Sequence, residues 1–319
     1  MVKRIKGRKI KLEGFNNLTK SLSFNIYDLC YARSRDAQIE YLEYVDEEYN
    51  SSRLESIVEE VTRIINAKLV QVSTQDYDPR GASVVALINE EHPVLEPSHY
   101  RGGPAGGSMP TQVVPGPDGE GTGAGSDGAG NRDAEPLSPS GESVPPSGAP
   151  ASGPWVVGHL DKSHIAIHTY PEYNQLSGIA SFRVDVDIST CGMISPLSAL
   201  HYLIESFDSE IVIMDYRVRG FTRDSRGRKL FIDQDISSIQ DYIDEDVLDR
   251  YIAYDVNIIS DNNFHTKMRK KTIKLRDFLF GDEVANLGPK EKKRIKHALV
   301  QEIQEIFECR NLDFRGGKV

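Results

Sequence analysis

The spacing of apolar residues changes along the chain and separates helical from extended segments. Across residues 37–69, apolar residues recur at intervals of three and four, which predicts helices with a break near Asn50–Ser52. Residues 195–207 and 290–310 follow the same helical period. Shorter segments, in which apolar and polar positions partly alternate, predict strands. These strand segments are residues 68–74, 81–90, 163–170, 181–190 and 210–220.

Strands interrupted by helices, with this partial alternation, are typical of an α+β fold. We therefore predict a two-layer α/β sandwich whose mainly antiparallel sheet carries helices on one face. A Gly-, Pro- and Ser-rich segment at about residues 93–154 is predicted to be a flexible insert in a single domain spanning residues 1–319. Gly123, Gly125 and Gly128 lie in this insert without the strand and helix that a dinucleotide site requires, so we attribute their G-x-G-x-x-G pattern to chance.

Composition and charge limit the classes of function. The chain has 39% hydrophobic and 27% charged residues, which is ordinary for a globular protein in water. It lacks any run of roughly 18 apolar residues, and its basic N-terminus lacks the apolar stretch of a secretory signal, so we expect a cytoplasmic protein without a membrane segment. The formal net charge of -10 disfavours nucleic acid as a partner. The basic runs at residues 217–229 and 289–299 are predicted to be solvated faces.

The three cysteines, Cys30, Cys191 and Cys309, are too few and too widely separated for a disulfide framework or a paired-cysteine zinc site. A cysteine with a special role here is therefore expected to be a reactant. Cys30 and Cys309 lie in apolar patterns with a helical period and are predicted to be packing residues.

Candidate chemistry is concentrated in the stretch HLDKSHIAIHTYPE, residues 159–172. A serine near histidines suggests a serine-histidine hydrolase, although the G-x-S-x-G elbow and an obvious orienting aspartate are missing. Other distinctive stretches are QDYDPRGAS, STCGMISPL, LEGFNNLTKSLSFNIYDLCYA, DYRVRGFTRD, FIDQDISSIQ and NFHTKM. Together with residues 159–172, and in their order along the chain, these stretches resemble the bacterial S-adenosylmethionine decarboxylase proenzymes of the larger, magnesium-activated type.

The resemblance implies a self-cleaving carboxy-lyase with an S-adenosylmethionine decarboxylase-like fold. Its product would be the aminopropyl donor for spermidine biosynthesis, Mg²⁺ would be an activator, and cleaved protomers would associate as dimers or tetramers. A pyruvoyl-dependent decarboxylase of arginine or ornithine stays open as an alternative beside the hydrolase. A relative that binds ligand without catalysis is disfavoured, because Ser163, His168, Ser83 and Cys191 are all present.

Decarboxylation of an α-amino acid requires an electron sink, which a pyruvoyl group can supply through a Schiff base to the substrate. A serine can generate this group when its hydroxyl attacks the preceding carbonyl, elimination splits the resulting ester, and the dehydroalanine left behind hydrolyses. The resemblance places the break between Lys162 and Ser163. The products would be residues 1–162, the β chain, and residues 163–319, the α chain.

The resemblance also implies roles for five further residues. His168 would take the Cα proton during processing, and Ser83 would help to hold the ester oxyanion. Cys191 would protonate the substrate carbon after CO₂ leaves. Tyr77, where relatives often carry Phe, and Glu172 would bind the nucleoside of S-adenosylmethionine.

The spacing of Ser163 and His168 has a geometric consequence. Residues five apart on a strand point to opposite faces and lie about 16 Å apart at roughly 3.3 Å per residue. We therefore predict active sites shared across a two-fold dimer, with Ser163 and Cys191 from one protomer and the other site residues from its partner. The sequence leaves the magnesium ligands unassigned, and Asp185 and Asp187 are candidates by residue type only.

Overall fold

A computed structural model describes residues 18–78, 80–90, 163–207, 209–224, 226–280 and 286–312. Within these residues one sheet has eight strands: β1 (Leu18–Tyr31), β2 (Ala67–Asp76), β3 (Ala82–Glu90), β4 (Ser163–Asn174), β5 (Ile179–Cys191), β6 (Ile211–Gly220), β9 (Tyr251–Asp255) and β10 (Asn263–Lys270). A separate hairpin pairs β7 (Thr222–Arg223) with β8 (Lys229–Leu230). The helices are α1 (Arg35–Glu48), α2 (Ser51–Ile64), α3 (Leu200–Phe207), α4 (Glu245–Arg250) and α5 (Pro289–Glu308).

The strand order in the large sheet is β2-β3-β4-β5-β1-β6-β10-β9, and each neighbouring pair is antiparallel. The first strand of the described chain therefore lies in the interior of the sheet, between two strands that come much later in the sequence. The predicted α+β class with a mainly antiparallel sheet is confirmed.

Three helices, α1, α2 and α3, cover one face of the sheet, which we call the helix face. Alternate apolar residues such as Phe24, Val84 and Ile167 pack against them. Val247 of α4 belongs to the same core, whereas the C-terminal helix α5 lies on the opposite face, so the prediction of helices on one face fails for α5. The reason lies in β6, where Val212 faces the first core and Ile211 and Ile213 face α5.

The helix boundaries follow from capping residues. The predicted break between α1 and α2 is present at Asn50. This residue caps the start of α2, because its side chain accepts a hydrogen bond from the Arg53 amide at 2.9 Å. Ser34 caps α1 in the same way by accepting from Ala37 at 3.1 Å. The long predicted helical segment is therefore two helices with separate N-terminal caps.

The insert predicted at about residues 93–154 lies outside the described residues, and so does the N-terminal basic segment. The single-domain organisation accordingly stays a prediction. The described basic side chains of residues 217–229 and 289–299 are mainly exposed, as predicted. Among the described helices, none combines the length and apolar character needed to cross a membrane.

Candidate active site

Strands β3, β4 and β5 bring several of the sequence-predicted residues into one row. Ser83 on β3 is paired with His168 on β4, and His168 is paired in turn with Asp185 on β5. Directly paired residues of neighbouring strands point to the same face, so these three side chains share the face opposite the helix face, on which α5 also lies. His168 is half-buried within this row.

Tyr77 reaches this row from the turn between β2 and β3. Its backbone amide donates to the Gly81 carbonyl at 2.8 Å, which closes the turn. Gly81 has φ +104°, and a Cβ there would meet the Thr169 carbonyl oxygen at 2.9 Å, so a side chain does not fit. Asp76 anchors the start of the turn by accepting from both the amide and the hydroxyl of Ser51, at 2.8 and 2.7 Å.

The Tyr77 hydroxyl donates to Ser83 Oγ at 2.8 Å. Ser83 is 8% exposed, whereas Tyr77 is 40% exposed and presents its ring to solvent. Since the tyrosine is the donor in this contact, the Ser83 proton is left to be donated elsewhere. We call Tyr77, Ser83 and His168 the His168 cluster.

Ser163 is the first residue of β4 and is only 6% exposed. The Cys191 amide donates to its Oγ at 3.1 Å. The Cys191 thiol also lies 3.8 Å from Thr19 Oγ1 on β1, the residue paired with it across the two strands. We call Ser163, Cys191 and Thr19 the Ser163 cluster. Lys162, on the other side of the predicted break, lies outside the described residues.

The two clusters are separate within one chain. Ser163 is paired with Ile88, whereas His168 is paired with Ser83, five residues away along each strand. Ser163 also shares its strand parity with Ile165 and Ile167, which pack into the helix-face core, whereas His168 has the other parity. The described chain therefore brings together Ser83, His168 and Tyr77, and Ser163 with Cys191, but it does not bring Ser163 to His168.

Glu172 lies beyond His168 near the far end of β4, where its side chain is exposed and accepts from Ser181 Oγ at 3.0 Å. Between the two residues, the exposed ring of Tyr170 lies 6.5 Å from the His168 ring and stacks under the Arg183 guanidinium at 4.3 Å. Glu172 is thus on the same side of the sheet as His168 but outside the His168 cluster.

Sequence reasoning missed a buried lysine next to the Ser163 cluster. Lys20 is 1% exposed, and its Nζ lies 2.6 Å from Asp233 Oδ2. The same ammonium donates to the carbonyls of Gly192 and Ile194, at 2.9 and 3.0 Å, in the turn that follows Cys191. A signal for it was present, because Lys20 stands among the apolar residues of β1 that alternate toward the core.

The other two cysteines differ from each other. Cys30 lies in β1, not in a helix, and packs against the helix-face core, where burial raises the pKa of its thiol. Its predicted packing role is consistent with that position. For Cys309 the prediction is wrong: this residue is exposed at the C-terminal end of α5, in a left-handed conformation with φ +54°. The helical spacing of apolar residues extends to the end of α5, but the last side chain of this helix that is buried in the core is Phe307.

The carboxylates proposed by residue type for Mg²⁺ already have protein partners. Asp185 accepts from Asn25 at 2.6 Å through one oxygen and pairs with Arg183 at 3.0 Å through the other. Asp187 accepts from Ser23 at 2.5 Å. A carboxylate neutralised by an arginine is a poor ligand for a hard cation, so Asp185 does not fit a magnesium site. Among the described residues, no hydrogen bond joins Asp185 to His168, as a hydrolase triad would require.

Comparisons with known proteins agree with these motifs. A family model described as S-adenosylmethionine decarboxylase matches residues 147–220. The S-adenosylmethionine decarboxylase proenzyme of Alkalilimnicola ehrlichii is 48% identical over 306 residues, which is 96% of each chain. The proenzyme of Heliobacterium modesticaldum is 49% identical over 96% of this chain and 97% of its own.

A solved structure, the adenosylmethionine decarboxylase from Aquifex aeolicus, covers 70% of this chain and 99% of its own at 14% identity, with a TM-score of 0.28. That score is too low to support a structural comparison. The nearly full-length identity to the two proenzymes is decisive by itself, and the chain belongs to the S-adenosylmethionine decarboxylase family.

Proposed function

We propose that this chain is a self-processing S-adenosylmethionine decarboxylase in which Ser163 is the precursor of the pyruvoyl group. The observation that carries the proposal is the contact between Ser163 and Cys191 at the start of β4. In this contact the backbone amide of Cys191 lies within hydrogen-bond distance of the residue that would become the reactive N-terminus, while the thiol lies on the Thr19 side of the sheet. The buried, hydrogen-bonded position of Ser163 fits a small group held at the end of a strand.

The contacts of Ser163 suggest how processing proceeds. Attack of Ser163 Oγ on the preceding carbonyl makes an ester, and the later elimination breaks the bond between Cβ and this same oxygen. The Cys191 amide, which donates to Oγ, would stabilise the negative charge that develops there as the bond breaks. The Ser83 hydroxyl, which receives its hydrogen bond from Tyr77, would donate to the oxyanion of the preceding step. His168 would take the Cα proton.

During turnover, the pyruvoyl group would supply the carbonyl that accepts electrons as CO₂ leaves. Cys191 would then deliver its proton to the substrate carbon. The exposed ring of Tyr77 would serve as the aromatic platform for the adenine and sulfonium, and the Glu172 carboxylate would accept hydrogen bonds from the ribose diol. These two residues favour S-adenosylmethionine over arginine or ornithine as the substrate.

The separation of the two clusters supports active sites shared between two protomers. In that arrangement, Ser163 and Cys191 of one protomer would meet Tyr77, Ser83, His168 and Glu172 of its partner. The face opposite the helix face, which α5 shares, carries both signs of charge on β5 and β6, and this favours a self-complementary two-fold contact. These charged residues are Arg183, Asp185, Asp187, Asp215 and Arg217.

The proposal also includes a cytoplasmic location, a role in spermidine biosynthesis and activation by Mg²⁺, which the resemblance implies. None of the steps above uses the metal. Association of the dimers into tetramers is compatible with the shared site and is not needed for it.

The hydroxyl of Tyr77 provides a test of the His168 cluster. Replacing Tyr77 with Phe keeps the ring but removes the donor to Ser83, so the serine loses the contact that fixes its orientation. We expect self-cleavage to slow about 3- to 10-fold, with KM unchanged. Time courses of precursor disappearance and steady-state kinetics measure the two effects. Tyr170→Phe, on an exposed ring nearby, is the matched control, and equal cleavage rates in the two variants would remove the hydroxyl from processing.

An intact-mass measurement tests the proposed function directly. The purified protein should consist of two chains that meet between Lys162 and Ser163, and the C-terminal chain should carry a carbonyl and resist Edman sequencing. The Ser163→Ala variant should remain one chain, because it has no hydroxyl to form the ester. A serine-histidine hydrolase would stay uncleaved and react with a fluorophosphonate. A single wild-type chain without a carbonyl would refute the proposal.

A further inference from the structure

The buried ammonium of Lys20 is the most unusual charge near the Ser163 cluster. Lysine is rarely fully buried because removing its charge from water is costly unless hydrogen bonds and an opposite charge compensate. Here all three donor positions can be used, by Asp233 and by the carbonyls of Gly192 and Ile194. The side chain is therefore fixed in one place in the core.

Two of these three contacts are to one short turn. Residues 192–195 connect β5 to the helical segment that begins at Pro196, and they directly follow Cys191. Gly192 turns the chain with φ +71°, in the left-handed region that favours glycine. Thr190 Oγ1 also donates to the Ile194 carbonyl, at 3.1 Å. The residues before and after Cys191 are thus held by hydrogen bonds, from Lys20 to the turn and from Thr190 across it.

The position of Cys191 depends on this turn, because a small shift of the backbone would break both of the contacts that this residue makes. In the uncleaved chain its amide donates to Ser163 Oγ, and its thiol lies on the Thr19 side of the sheet. A thiol that protonates one of two possible carbon atoms needs a fixed position, since a displacement of about 1 Å can change a rate by up to ~100-fold.

We propose that Lys20 is a positioning residue that holds the turn after Cys191, so that the thiol protonates the substrate carbon and not the carbon of the pyruvoyl group. This inference rests on the proposed function. Lys20 does not touch the reacting atoms. Asp233 neutralises its charge, and the carbonyls of the turn receive its hydrogen bonds.

A purely structural role for the ion pair is the competing explanation, and a pair of variants separates the two. Lys20→Met removes the ammonium but leaves the Asp233 carboxylate buried without its cation, which destabilises the fold. The double variant Lys20→Met/Asp233→Leu removes both charges and should recover thermal stability. It does not restore the hydrogen bonds to the turn. Stability and positioning therefore respond differently in the double variant.

The measurement is the fraction of turnovers that end in protonation of the wrong carbon. Each such event leaves the substrate nitrogen on the enzyme, so the first residue of the C-terminal chain becomes alanine and the substrate portion leaves as an aldehyde. Mass spectrometry of the C-terminal chain after a counted number of turnovers gives this fraction. We expect it to rise about 10-fold or more in the double variant, at a melting temperature close to that of the wild type.

Asp233→Asn is the matched control, because it leaves the Lys20 ammonium and its two carbonyl contacts in place. Its fraction of wrong protonation should equal that of the wild type, and this arm remains informative if the Lys20 variants fail to fold. A wild-type fraction in a folded, cleaved double variant would overturn the inference, as would an Asp233→Asn fraction raised about 10-fold. An uncleaved wild-type chain would instead refute the proposed function, and this inference with it.

Discussion

Replacing Cys191 with alanine should leave at least part of the protein cleaved and lower its turnover by about 100- to 10,000-fold. Cleavage survives because the backbone amide of residue 191, which contacts Ser163 Oγ, does not depend on the side chain. Turnover falls because the proton source beside the substrate carbon is gone. Release of CO₂ from carboxyl-labelled substrate, normalised to the cleaved fraction, measures the loss, and the surviving cycles should often convert the pyruvoyl terminus to alanine.

The control for this experiment is Cys309→Ala, since that thiol is exposed at the end of α5. Its activity should match that of the wild type. Wild-type turnover in the Cys191→Ala variant would remove this cysteine from the mechanism. It would also remove the basis for a positioning role of Lys20.

The second large effect is expected when two inactive chains are mixed. Ser163→Ala and His168→Ala homodimers should each remain uncleaved, the first for lack of a nucleophile and the second for lack of a base. In a co-expressed mixture, a heterodimer contains one site that combines an intact Ser163 with the partner subunit's His168. Cleaved His168→Ala chains should therefore appear only in the mixture, and distinct affinity tags with mass spectrometry identify them.

A double variant supplies the control for the mixing experiment. Ser163→Ala/His168→Ala chains paired with His168→Ala chains contain no base in either site, and they should give no cleavage. If tagged heterodimers of the two single variants form but stay intact, the serine and histidine act within one chain. That result would require a sharp rearrangement of β4, because the extended strand holds the two residues about 16 Å apart.

Local patterns in the sequence predicted four of the five described helices and five of the eight strands of the large sheet, but not α4, β9 or β10. The gap at Asn50, the strands on either side of the predicted insert and the amphipathic C-terminal helix all follow from spacing and capping over a few residues. The interior strand β1 was not assigned, although its alternation is regular from Leu18 to Ile26. The side of the sheet that α5 covers depends on long-range packing and cannot be read from the helix itself.

For the site, too, local features could be predicted from the sequence and long-range contacts could not. The opposite faces of Ser163 and His168 follow from strand parity, a local property, and the structure agrees. The contact of Cys191 with Ser163 depends on how β4 and β5 pair, and the link from Lys20 to the turn after Cys191 spans more than 170 residues of sequence. No rule based on residue spacing links positions so far apart in the sequence. The sequence therefore showed only that Lys20 is a charged residue at a core-facing position, and did not show its partners.

The position of β1 has a consequence for the two products of cleavage. The proposed cut before Ser163 would assign β1, β2 and β3 to one product and the remaining strands of the large sheet to the other, yet β1 lies between β5 and β6. The products are thus interleaved, and three backbone ladders join them: β3 with β4, β5 with β1, and β1 with β6. Dilution cannot separate such fragments without dismantling the sheet. After the proposed cut, the two products would therefore stay together as one folded unit with an additional pair of chain ends.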